Sequence, residues 1–235
     1  MNQIDVLFIV DVTSSMGSFI NSAKEKMQDA LTKLTADHQI DLKVGLSFYR
    51  DHPRHELSFT TVTFDLMDVD SIREKIKEVE VSGGGGDFAA VLDGVADGID
   101  NLSWREKSRK VAFLIGDAPA HGMIPGEDCC ICGLSIGDVV AKIQDKEVVL
   151  YTILIDSRND GARQSFKLLA NFTGGFLIES DDAMKVILDT LNTEFDNMNL
   201  DAKILDMLSK DYSQEKICEM LNVDREKLQM TRLRS

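Results

Sequence analysis

Apolar residues come in two rhythms along this chain, and the rhythms alternate. Val6-Leu7-Phe8-Ile9-Val10 is an unbroken apolar run stopped by Asp11. A strand apolar on both faces belongs in the middle of a parallel sheet. After the turn Thr13-Ser14-Ser15-Met16-Gly17 the spacing becomes helical: Met16, Phe19, Ile20, Ala23, Met27, Leu31 and Leu34 recur every three or four residues. Leu42 to Phe48 alternates, as a half-covered strand does. Phe59 to Phe64, rich in Thr, Val and Phe, follows a short loop holding Pro53. The short connection predicts an antiparallel partner at the sheet edge. Further strands are predicted over 110–115, 148–155 and 176–178. Further helices are predicted over 71–80, 88–102, 135–146, 165–172 and 181 to about 195, the last capped by Ser180 or Asp181.

Strands alternating with helices predict an α/β fold: a doubly wound, mostly parallel central sheet of about six strands with one antiparallel edge strand and helices on both faces. The domain is expected over 1–199, followed by a small C-terminal helical appendage over 200–235. In such sheets ligands sit at the carboxyl ends of the strands. The two clearest buried strands end in Asp11 and Asp117, which puts two carboxylates at that edge.

Three loops then stand out together: Asp11-Val12-Thr13-Ser14-Ser15, Ser82-Gly83-Gly84-Gly85-Gly86-Asp87 and Gly116-Asp117-Ala118-Pro119. Carboxylates and hydroxyls with no soft donor among them suit Mg²⁺, Mn²⁺ or Ca²⁺. Taken alone, Asp-x-Thr-x-Ser also reads as a helix N-cap cluster, since Asp, Thr and Ser are favoured there. The glycine run is not a phosphate loop, because no Gly-Lys-Ser/Thr follows.

Asp11-x-Thr13-x-Ser15 resembles the metal-ion-dependent adhesion site of von Willebrand factor A domains, with Thr13 keeping the hydroxyl of the usual serine. Asp117, after an apolar strand, matches the family's third-loop aspartate. The resemblance covers roughly 4–197. Several stretches are similar to the A-type domains found beside alpha-kinase domains and in related bacterial proteins: Asp11-Val12-Thr13-Ser14-Ser15-Met16, Phe48-Tyr49-Arg50-Asp51-His52, Gly84-Gly85-Gly86-Asp87 and Gly116-Asp117-Ala118-Pro119-Ala120-His121-Gly122. The resemblance implies that Thr13 and Ser15 bind the metal through their hydroxyls, while Asp11 and Asp117 act mainly through bound waters. In the second loop the chain departs from the family, because the expected ligand position falls near Ala89, which cannot ligate. Asp87 is the nearest substitute. Either it swings in, or it caps the following helix and the site has one ligand fewer.

Other residues add less. Asp51 could stand behind the metal ligands, or Arg50 and Asp51 could simply order their loop. Cys129, Cys130 and Cys132, with His121 upstream, offer one Cys-x-x-Cys pair, and Cys218 lies far off in the tail. Solvated loop thiols are expected there, not a zinc site. No motif places His38, His52, His55 or His121 to activate Ser14 or Ser15, so no enzyme is expected.

Composition narrows the partners. Lys plus Arg number 26 against 40 Asp plus Glu, for a net charge of −14. That surface repels nucleic acid and anionic membranes and favours cations or basic partners, although carboxylates also serve plain solubility. Hydrophobic residues make up 43% of the chain, enough for a sizeable core. No apolar run reaches the roughly 20 residues of a membrane span, and the start has no room for a signal peptide. Cysteines crowded in one loop without a secretory signal fit a reducing, cytoplasmic setting.

Tyr212 to Leu228 resembles a bacterial helix-turn-helix, with Ser213 and Asp224 as caps and the turn at Asn222-Val223. Arg225, Lys227, Arg232 and Arg234 could face DNA, but interspersed acids dilute them. The expected function is metal-dependent binding of a protein partner through an acidic side chain, with Mg²⁺ as the ion. The rivals are a metal-free scaffold whose site has lapsed, a DNA-associated regulator using the tail, and a Mg²⁺-dependent hydrolase lacking an evident general base.

Overall fold

β1 (Gln3–Asp11) is buried along nearly its whole length and forms the spine of the molecule. In the computed structural model the described residues are 3–24, 32, 40–53, 58–123, 129–155, 158–180 and 182–233. Six strands form one sheet in the order β3-β2-β1-β4-β5-β6. β2 (Asp41–Tyr49) and β4 (Arg109–Gly116) flank β1 in parallel, and β5 (Val149–Leu154) and β6 (Leu177–Glu179) continue that direction. β3 (Thr61–Met67) pairs antiparallel with β2 at the edge, as its short connection predicts. It extends three residues beyond the predicted Phe64.

Helices cover both faces. Leu7 and Ile9 of β1 face α3 (Val91–Asn101), α4 (Ile136–Asp145) and α5 (Asp160–Asn171) in one apolar cluster that includes Val95, Ile99, Val139 and Phe166. Val10, Leu46 and Ile115 face the other way and meet Ile20 of α1 (helical over 17–24), Ile76 of α2 (Val69–Lys77) and Met184. The later part of the predicted first helix, with Met27, Leu31 and Leu34, lies outside the described residues. α5 starts five residues earlier than predicted, because Asn159 caps it by accepting from the Ala162 N–H at 3.1 Å.

Glycines set the depth of α3. A Cβ on Gly94 would stand 2.7 Å from Tyr49 Cδ1, and one on Gly98 would stand 3.0 Å from Ser47 Cβ. The helix lies so close to β2 that Ser47 Oγ donates to the Gly94 carbonyl at 2.7 Å. At the amino edge of the sheet, fully buried Asp5 accepts from Arg105 N and Nε at 2.8 and 2.7 Å and from Ser108 Oγ at 2.6 Å. Arg105 also pairs with Asp41 at 2.6 Å, so one guanidinium fastens the starts of β1 and β2. That pairing, with Gln3, holds the Asp41 carboxyl below its ordinary range.

The chain divides into two compact units, 1–188 and 189–235. α6 (Ala183–Ser209) is one helix of 27 residues, where the sequence predicted an end near 195 and a fresh stripe from 200. Asp182 accepts from the Lys185 N–H at 3.3 Å and fills the capping place expected of Ser180 or Asp181; Asp181 itself is outside the described residues. In the second unit, Ile204, Ile217 and Leu228 form a small core with α7 (Gln214–Leu221) and α8 (Arg225–Leu233). Ser213 and Asp224 cap these helices as expected, and Asn222 turns the chain at φ +51. Among the described residues no helix is long and apolar enough to cross a membrane.

Candidate metal centre

Asp11 ends β1 and turns back on its own loop. Its Oδ1 accepts from the Thr13 N–H at 2.8 Å and the Thr13 hydroxyl at 2.6 Å. Thr13 holds the cap position of the short 3-10 turn Ser14–Met16, yet it does not cap this turn with its side chain. With its proton directed to Asp11, Thr13 Oγ1 keeps lone pairs for another partner, and Ser15 Oγ lies 3.2 Å away.

The second loop is stitched to the first by its backbone. Ser14 donates to the Gly83 carbonyl through both N–H (3.2 Å) and Oγ (2.9 Å), and Ser82 N–H reaches Val12 O at 3.2 Å. Gly84, at φ +74, passes so near Thr13 that a Cβ there would sit 3.0 Å from the Thr13 Cβ. A side chain would be strained in both conformation and space. The third loop joins in turn: Ala89 N–H donates to Pro119 O at 3.0 Å, and His121 N–H to Ala89 O at 3.3 Å.

Three carboxylates gather where these loops meet. Asp11 Oδ2, Asp51 Oδ2 and Asp117 Oδ1 are buried and lack a hydrogen-bond partner among the described residues. Burial, against the two bonds from Thr13 and helped by the charges of Asp117 and Asp51, pushes the Asp11 carboxyl up to about 7. Tyr49, fully buried with its hydroxyl 3.4 Å from the Ile115 carbonyl, stays neutral; burial and the same carboxylates push it well above its ordinary value. Buried carboxylate oxygens of like charge, left unpaired, are costly, and a hard dication removes that cost. The donor set therefore fits such an ion.

The predicted residues are placed unequally. Asp11, Thr13, Ser15 and Asp117 belong to the loops that meet here. Asp87 is exposed, and no hydrogen bond or ion pair engages its carboxylate among the described residues. Nor does it cap α3, whose cap position is Ala90. Ala89 is buried and serves as a backbone bridge to Ala120. Asp51 stands close behind, its Oδ1 accepting from His52 N–H and pairing with His121 Nε2, both at 2.7 Å. The Asp51–His121 contact spans 70 residues of sequence, a separation that no local motif records. Arg50 orders its loop by reaching Ser58 Oγ and the Glu80 carbonyl and lying over the Phe59 ring.

The reading of the loop cysteines as solvated holds for Cys129 and fails for Cys130. Cys130 is buried, its Sγ 2.8 Å from His52 Nε2, and burial pushes its thiol well up. In the tail, Arg225 pairs with Glu215 at 3.1 Å and Lys227 with Asp201 at 2.6 Å; Arg234 lies outside the described residues.

The sequence profile described as von Willebrand factor type A domain matches residues 5–194. An alpha-protein kinase, vwkA of Dictyostelium discoideum, is 35% identical over 174 residues, which is 69% of this chain and 27% of that protein. The chain thus spans about a quarter of that relative's length. Among solved structures, the pilus adhesin SpaC of Lactobacillus rhamnosus GG aligns with a TM-score of 0.58 at 14% identity, over 83% of this chain and 31% of that one. Proximal thread matrix protein 1 of the mussel byssus, described with a zinc-occupied MIDAS motif, aligns at 0.58 and 16% identity, over 81% of this chain and 46% of that one. Those likenesses show the fold.

Proposed function

The chain belongs to the von Willebrand factor type A family, and on that premise we propose that it is a binding module, not an enzyme, which holds one Mg²⁺ and engages an acidic side chain of a protein partner. The observation that carries this reading is the trio of buried, unpartnered carboxylate oxygens at one strand edge. Thr13 and Ser15 would hold the ion through their hydroxyls, with Asp11 and Asp117 acting mainly through bound waters and Asp87 the one nearby carboxylate of the second loop. When bound, the cation supplies a partly desolvated positive centre with a position open to a partner's carboxylate. The all-oxygen donors favour Mg²⁺, with Mn²⁺ and Ca²⁺ as hard substitutes. The mussel protein's description with a metal-occupied motif, and the naming of SpaC as an adhesin, support cation capture and protein binding on this fold.

The residues themselves favour binding over catalysis. Ser14 Oγ is directed to the Gly83 carbonyl and Ser15 Oγ faces the Thr13 hydroxyl, and among the described residues no imidazole hydrogen-bonds either one as a base. All four cysteines are free, which supports a reducing compartment such as the cytoplasm.

Calorimetric titration of chelator-stripped protein with Mg²⁺ and Mn²⁺ tests the reading. Saturable binding is expected in the wild type and is lost in Asp11→Ala. Absence of binding by the wild type at millimolar metal would favour a metal-free scaffold, the second reading, which Ala89 supports by being a bridge where the family carries a ligand.

A further inference from the structure

A second cluster of metal-ligating side chains lies outside the hard-oxygen site. One ligand atom each from His52, Asp93, Cys130 and Cys132 can be chosen so that all lie within 4.8 Å of one another. His52 Nε2 is 2.8 Å from Cys130 Sγ and 3.3 Å from Asp93 Oδ2, and Cys130 Sγ is 3.2 Å from Asp93 Oδ2. The four come from three places in the chain: the loop after β2, the first turn of α3, and the β4–α4 loop. Two are anchored by secondary structure or burial, since Asp93 sits on a helix and His52 is 5% exposed. Cys132 is exposed and opens the cluster to solvent.

We propose that His52, Asp93, Cys130 and Cys132 form a structural Zn²⁺ site, separate from the cation site at Asp11. Two thiolates, an imidazole and a carboxylate are a zinc donor set, and soft sulfur discriminates against Mg²⁺. Zinc bonds of about 2.0–2.3 Å put the corners of a tetrahedron roughly 3.3–3.8 Å apart, so the side chains need only small shifts to close on an ion. On binding, Cys130 and Cys132 each release their thiol proton to solvent. His52 coordinates through the neutral Nε2 lone pair, and Asp93 coordinates as the carboxylate. Four protein ligands leave no open position, which makes the site a staple and not a catalytic centre.

The staple has a definite job. It ties the β2–β3 loop and the β4–α4 loop to α3. His52 and His121 both engage Asp51 Oδ1, one through its backbone N–H and the other through Nε2. Zinc at His52 thereby fixes the residue next to Asp51, whose Oδ2 is one of the three unpartnered oxygens among the described residues. Simple hydrogen bonding among thiol, imidazole and carboxylate is the plain alternative, and the two readings differ in one observable, thiolate coordination.

The reduced, chelator-stripped 235-residue chain is titrated with Co²⁺ as a spectroscopic stand-in for zinc. The expected result is one equivalent with thiolate-to-cobalt charge transfer and the intense ligand-field bands of a four-coordinate ion, bleached by Zn²⁺ and unaffected by excess Mg²⁺. Loss of an outer contact alone costs metal affinity about 10–100-fold, so Cys132→Ser is expected to weaken zinc by at least about tenfold and to reduce the charge-transfer band. Cys132 is exposed, so that variant folds; circular dichroism checks it. Cys129→Ser and Asp11→Ala should keep the bands, and retention in Asp11→Ala separates this site from the adhesion-type one. Lack of a thiolate band in the wild type, or an undiminished band in Cys132→Ser, overturns the proposal.

Discussion

Asp11 is a carboxylate held where a carboxylate is uncomfortable. Its ordinary value is 3.8, and burial lifts it to about 7. Between those two values the folded chain keeps a proton that the unfolded chain has released. The stability this group contributes is therefore full below about pH 4 and is lost as the pH rises through 7. In chelator at pH 8, Asp11→Asn, which keeps an acceptor oxygen for Thr13, is expected to be more stable than wild type by on the order of 2–4 kcal/mol. Denaturant melts across pH should show the difference shrinking toward pH 4; a gap constant with pH would mean that the ionised carboxylate is not the source. Asp11, Thr13, Ser15 and Asp117 were legible in the sequence because each closely follows an apolar run that announces a strand end. The Asp51–His121 pair and the His52–Asp93–Cys130 contacts were not, because they join residues 37 to 78 positions apart. No local pattern records such contacts.

Among the elements, α3 is the one whose placement is most exacting. A helix-interior glycine ordinarily gains about 1 kcal/mol on becoming alanine. At Gly94 the new Cβ would stand 2.7 Å from Tyr49 Cδ1 and 2.9 Å from its Cβ, against a ring with no room to retreat. Overpacking costs about 1–3 kcal/mol, so Gly94→Ala is expected to destabilise by up to about 2 kcal/mol in urea unfolding despite its better helix propensity. A midpoint at or above that of wild type would show that α3 slides without cost. Strands and helices were readable from their periodicity, including the antiparallel β3. Their ends were less so: α5 starts at an asparagine cap ahead of its apolar stripe, and α6 runs on through a stretch where the stripe changes face. Periodicity reports which face is buried, and a helix that changes neighbours looks like two.

For the whole molecule, charge argues against DNA as a partner. The chain carries −14, and Arg225 and Lys227 are already paired with Glu215 and Asp201. Binding phosphates would require breaking those pairs against a repulsive field. No retardation of DNA is expected in a gel shift with the full chain at low salt; retardation that fades as salt rises would restore the helix-turn-helix reading of the tail. The alternation of strand and helix made the mostly parallel sheet predictable, and the family profile over 5–194 agrees.

The Arg105 clamp and the carboxylate trio occupy opposite ends of the same strands. Asp11 lies six steps along β1 from Asp5, a span of about 20 Å. The fastening and the proposed metal site thus lie in different parts of the sequence. Loops at the carboxyl edge can therefore be diversified in a library while the far edge keeps β1 and β2 fastened.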